Sequence, residues 1–126
     1  MKHHQAVPVI ATADVRASIK YYTGVLGFTQ LFIFGEPPVY AGVRRDDVVL
    51  YITQDTKLAA ALKESGAHPD VFLWVENVDA VFAEHKRRGA KIVEDIADRT
   101  WDARQYVVED PNGYYLKVAE PSQPSI

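Results

Sequence analysis

A strand–helix–three-strand rhythm runs through this chain twice, and that repeat constrains the fold more than any other feature of the sequence. The first copy opens with Val7-Pro8-Val9-Ile10-Ala11-Thr12, short, apolar and β-branched, which reads as a buried strand. Asp14 then stands as the cap of a helix whose Val15, Ile19 and Tyr22 fall at i, i+4 and i+7, and Gly27 closes the unit. Three strands are expected next, over Phe28–Phe34, Val39–Arg44 and Val48–Thr53, with Pro37-Pro38 and Asp46-Asp47 marking the turns. The pattern restarts at Val71-Phe72-Leu73-Trp74-Val75. Asn77 is the expected cap, and Val78, Val81, Phe82 and His85 form a helical stripe that Gly89 ends. Strands follow near Lys91–Ile96, Trp101–Val108 and Tyr114–Ala119.

Aligning the caps sets Asp14 against Asn77, Val15 against Val78, Ala17 against Ala80 and, after one deletion, Gly27 against Gly89. One βαβββ unit cannot bury both faces of its strands, so two halves, or two chains, must pair. The fold class is therefore α+β: two tandem βαβββ modules forming a curved mixed sheet with a cleft, helices on its outer face. With 126 residues, one domain is expected, with module 1 over about 7–54, a connector helix over about 55–66, module 2 over about 69–120, and short tails. The last two strands flank Asp110-Pro111-Asn112-Gly113, where proline presets φ, asparagine tolerates the next position and glycine takes the positive φ that closes the hairpin.

Several chemistries are excluded early. There are no cysteines, hence no disulfide, thiolate metal site or cysteine nucleophile, in keeping with a cytoplasmic location. No apolar run reaches membrane-spanning length, and Met1-Lys2-His3-His4-Gln5 leads straight into a strand-like segment, so neither a membrane span nor a signal peptide is expected. The net charge is −3, and residues 67–126 carry 7 Lys and Arg against 11 Asp and Glu, the wrong sign for a nucleic-acid partner. The Lys86-Arg87-Arg88 run complements a helix C-terminus. Ser18 and Ser65 lie in expected helices without a nearby base, and no glycine-rich phosphate loop exists. Glu109, Asp110 and Glu120 read as strand-end and turn residues rather than acid–base catalysts. Of the histidines, His3 and His4 belong to a terminal segment, His68 to the Gly66–Pro69 loop and His85 to a helix's packed stripe.

The order Asp14-Val15-Arg16-Ala17-Ser18-Ile19-Lys20-Tyr21-Tyr22, Leu26-Gly27-Phe28, Val75-Glu76-Asn77-Val78-Asp79-Ala80, Arg88-Gly89-Ala90 and Asp110-Pro111-Asn112-Gly113 resembles the vicinal-oxygen-chelate superfamily of glyoxalases, bleomycin-resistance proteins and extradiol dioxygenases. The likeness covers residues 7 to about 120 and is closest to the bleomycin-resistance branch. The marks of that branch are Val7-Pro8-Val9-Ile10 and Thr100-Trp101-Asp102-Ala103-Arg104-Gln105-Tyr106, where Asp102 replaces a glycine usual in the branch.

Metal-dependent members place His, Gln or Glu on the first, fourth, fifth and eighth strands. The resemblance puts Pro8, Tyr51, Asp70 and Lys117 at those places. Proline has no donor, neutral tyrosine is a poor ligand and an ammonium repels a cation, so no metal, no other cofactor and no catalytic residue is expected. What remains is an organic cleft. Its lining is expected from Phe32, Phe34, Tyr40, Tyr51, Trp101, Tyr106 and Tyr115, with Asp70, Arg104 and Lys117 as polar groups. Period-2 geometry puts Tyr115 and Lys117 on one face and Tyr114 and Leu116 on the other. The expected function is metal-independent binding of a small organic molecule, an antibiotic or an aromatic ligand, by a homodimer. The alternative is a lyase, isomerase or dioxygenase using a shifted metal site or Lys117 as base or electrophile.

Overall fold

Residues 1–122 are described in the structure, a computed structural model. The elements run β1 (Val9–Thr12), α1 (Val15–Gly24), β2 (Thr29–Phe34), β3 (Tyr40–Arg45), β4 (Val48–Gln54), α2 (Thr56–Ser65), β5 (Asp70–Trp74), α3 (Val78–Arg87), β6 (Lys91–Asp98), β7 (Ala103–Glu109) and β8 (Tyr115–Pro121). The chain divides into two compact units, Met1–Ala61 and the part from Leu62 onward, so the division falls inside α2. The fold is α+β and built of two tandem modules. Each module has its own four-stranded mixed sheet, sheet 1 in the order β1-β4-β3-β2 and sheet 2 in the order β5-β8-β7-β6. In both, the first and last strands of the module pair parallel and every other pairing is antiparallel.

Helices α1 and α3 each cover one face of their own sheet, whereas α2 buries none of its residues. Asp14, in an extended conformation, accepts from Ala17 N and starts α1. Val15, Ser18, Ile19 and Tyr22 are then buried, and Ser18 Oγ donates to Thr12 Oγ1 at 2.8 Å, tying helix to strand. The sheet residues on this side include Ile10, Ala41, Val43, Leu50 and Ile52, all fully buried. The Ile, Val and Leu side chains among them each contribute roughly 1.5–3 kcal/mol through removal of apolar surface from water. In module 2, α3 packs on β6, β7 and β8. The Tyr106 hydroxyl meets His85 Nδ1 at 2.7 Å in a buried contact, and Phe82 packs edge-on against the Tyr106 ring. His85 is thus a packed core histidine, in line with its place on the helical stripe.

The closing hairpin forms as its residues dictate. Asp110 Oδ1 accepts from Asn112 N and Tyr114 N, Asp110 N donates to Tyr114 O, and Gly113 takes φ 87°. The second helix cap departs from expectation. Asn77 occupies the N-cap position but adopts a left-handed conformation (φ 56°, ψ 58°), and its side chain makes no capping bond. The cap comes from β8: Glu120 Oε2 accepts from Asn77 N at 3.1 Å and Oε1 from Val78 N at 3.2 Å. A carboxylate there also meets the positive end of the helix dipole. Strand β7 begins at Ala103 rather than Trp101, because Asp102 itself takes the left-handed conformation (φ 59°) and breaks the extended run. Aspartate tolerates this region better than most residues, so it can stand where the branch usually has glycine.

Candidate functional site

The register of the strands defines which side chains share the face of each sheet turned away from its helix, here called the far face. In sheet 1 the pairs Val9↔Tyr51, Gly42↔Tyr51, Tyr40↔Thr53, Phe32↔Gly42 and Phe34↔Tyr40 place Phe32, Phe34, Tyr40 and Tyr51 on that face. Three of these rings close on one another. Phe32 stacks on Tyr40 at 6.0 Å, Phe32 meets Tyr51 edge-on at 5.5 Å, and Tyr40 meets Tyr51 edge-on at 5.8 Å. Gly42 makes this possible, since a Cβ there would come within 2.4 Å of the Phe32 ring. Phe34 lies beyond the triad at the strand end and is largely exposed.

In sheet 2 the pairs Asp70↔Tyr115, Phe72↔Lys117, Trp74↔Ala119 and Val107↔Lys117 set the far face. Tyr106 points to α3 and pairs with Val118, so Tyr115 and Lys117 lie on the opposite side, as their spacing predicts. Lys117 Nζ sits 2.9 Å from Asp70 Oδ2. The His68 ring lies flat on Tyr115, centroids 4.2 Å apart and planes 6° from parallel, with Nδ1 2.8 Å from the Gly113 carbonyl oxygen. Phe72 and Trp74 stand side by side with centroids 4.8 Å apart. They are 43% and 58% solvent-exposed, a large apolar surface to leave in water.

Two expected lining residues turn the other way. Tyr106 is fully buried against α3. Arg104, two residues before it, shares its face and grips Asp79 of α3 through Nε and Nη2 at 2.8–3.1 Å, while Nη1 reaches Asp98 at 3.4 Å. Those hydrogen bonds hold the Asp79 carboxyl below its ordinary value and push the guanidinium's still higher. Trp101 lies in the turn before β7, and its indole Nε1 donates to Gln105 Oε1 at 3.3 Å, which brings it to the far-face side of β7. Sequence reasoning missed His68, Phe72 and Trp74. Phe72 and Trp74 were hidden in an apolar strand whose two faces look alike in sequence. The stacked His68 depends on a hairpin 45 residues away in the chain.

The positions that metal-dependent relatives use do not suit a metal here. The two cap positions align β1 with β5 so that Val9 matches Phe72, and their strand partners Tyr51 and Lys117 then match each other. Two residues upstream the same register pairs Val7 with Asp70. Val7, rather than Pro8, is therefore the first-strand equivalent, and Pro8 instead uses its carbonyl to accept from Tyr51 N. Valine has no donor, Tyr51 is packed among rings, and Asp70 is bound to an ammonium. Among the described residues no three His, Cys, Asp or Glu side chains come together in a way that could hold a metal ion. Nor is any helix among them long and apolar enough to cross a membrane.

The family model of the Glyoxalase/Bleomycin resistance protein/Dioxygenase superfamily matches residues 3–118. Among solved structures, the chain is similar to the bleomycin-binding protein from bleomycin-producing Streptomyces verticillus complexed with copper(II)-bleomycin. The two share 25% identity with a TM-score of 0.73 over 98% of this chain and 99% of that one. The bleomycin resistance determinant encoded on the transposon Tn5 gives 17% identity and a TM-score of 0.79 over 96% and 100% of the two chains. A glyoxalase-related enzyme from Clostridium phytofermentans gives 18% and 0.75 over 96% and 97%. These last two likenesses concern the fold. Among curated proteins none matches the chain in sequence.

Proposed function

The chain belongs to the glyoxalase/bleomycin resistance protein/dioxygenase superfamily, and from that premise we propose that it is a metal-independent binding protein for a small, flat organic molecule of antibiotic or aromatic type. The observation that carries this reading is the fate of the eighth-strand position. Lys117 stands there, closed on Asp70 at 2.9 Å and bordered by exposed aromatic rings. That arrangement replaces a cation site with a polar pair beside stacking surfaces, which suits a planar ligand. Likeness to a protein described as bleomycin-binding supports an antibiotic as ligand. On sheet 2, Trp101 and Tyr115 supply contact surface, with Asp70 and Lys117 as polar groups; on sheet 1, Phe32, Tyr40 and Tyr51 pack mainly on one another and Phe34 is left exposed. Arg104 acts at a distance, by holding β7 to α3. By family resemblance the working form is a cytoplasmic homodimer, which light scattering after gel filtration tests directly.

The deciding experiment is calorimetric titration with metal-free bleomycin. Micromolar or tighter binding is expected, and no heat at micromolar protein would eliminate the bleomycin version. Protein incubated with zinc, nickel or iron and then desalted should retain far less than one metal per chain. One full equivalent would overturn metal independence and reinstate the enzymatic alternative.

A further inference from the structure

Two nitrogens of one ring narrow what the far face of sheet 2 can recognise. His68 Nδ1 lies 2.8 Å from the Gly113 carbonyl oxygen. A carbonyl only accepts, so Nδ1 carries the proton and Nε2 of the neutral ring keeps its lone pair. The ring is held in place twice, by that bond and by its stack on Tyr115. Among the described residues Nε2 has no hydrogen-bond partner. The strand partner of Tyr115 is Asp70. Its Oδ2 is taken by Lys117, while Oδ1 has no partner among the described residues and the carboxylate is half-exposed. One end of this face therefore presents two acceptors, and the neighbouring stretch presents the rings of Phe72 and Trp74.

We propose that His68 Nε2, assisted by Asp70 Oδ1, reads hydrogen-bond donors on the ligand. This deepens the binding function proposed above and rests on it. Because Lys117 already balances the charge of Asp70, the class selected is a neutral flat ring system bearing an N–H or amino group, rather than a cation or a ring whose rim carries acceptors alone. His68 is thus a specificity-determining residue, and its tautomer is set by the hairpin backbone rather than by another side chain.

The test uses indole and benzofuran, near-isosteres that differ in an N–H against an ether oxygen. Each is titrated into the full chain while the Trp74 indole and Phe72 ring resonances are followed by NMR. Indole should bind roughly fivefold more tightly than benzofuran in the wild type, the size of effect one net hydrogen bond gives. In His68→Phe, which keeps a ring to stack on Tyr115 but has no acceptor, the two affinities should become equal while both probes still shift Trp74. Equal affinities in the wild type, or a preference that survives His68→Phe, would overturn the role of His68 and leave the binding function standing. If neither probe shifts Trp74 or Phe72, the binding function at this face fails and the role of His68 fails with it.

Discussion

At the centre of the far face of sheet 1 stands Tyr51, and at the matching place in sheet 2 stands Lys117. The strand beside them carries Gly42 in one sheet and Val107 in the other. Gly42 leaves a hollow that the Phe32 ring fills, and three rings lock around it. Val107 fills its own place, and the surface near Lys117 carries charge, a stacked histidine and two exposed rings instead. One face spends its aromatic groups on each other, while the other leaves them facing water. The same backbone topology thus yields one face whose rings pack on one another and one whose rings stay open to solvent, the face to which we assign recognition.

Breaking the triad is the most severe test of this contrast. Gly42→Val should push Phe32 aside and lower stability by about 1–3 kcal/mol, the usual cost of forcing atoms into a filled space. Urea unfolding measures it, and an unchanged midpoint would mean that the rings are not a packed unit. Next comes the helix cap. Glu120→Ala leaves two backbone N–H groups at the start of α3 without their acceptor and should cost about 1 kcal/mol. Loss of amide protection confined to the first turn of α3 would sharpen the assignment, and full protection would refute it. The smallest effect is expected at Lys117→Met. The ion pair is half-exposed and such pairs contribute little, so stability should change by less than about 1 kcal/mol. Bleomycin or indole affinity, in contrast, should change severalfold. A large stability loss with unaltered binding would reverse the roles given to the two faces.

The repeat, the order of elements and the closing hairpin were legible in the sequence because each rests on local patterning. Alternation along β8 correctly separated Tyr115 and Lys117 from Leu116. Arg104 and Tyr106 were legible as a pair two residues apart, but which face they share is decided by contact with α3, and no periodicity states that. Asn77 has the residue type of a cap, yet its left-handed backbone turns its side chain from the task. Phe72 and Trp74 read only as part of a strand, because an apolar strand does not announce that one side lacks a cover. The candidate site lay in such one-sided environments, which emerge only when strands from distant parts of the chain are set side by side.

The two helix caps also differ in when they can form. Asp14 reaches Ala17 across three residues, whereas Glu120 reaches Asn77 across 43. As the chain leaves the ribosome, α1 has its cap as soon as it exists, and sheet 1 has all its strands by Gln54. Helix α3 must wait for nearly the last residue of β8. The first module therefore has its strands and its helix cap in hand during synthesis, and the second is finished only by its own end.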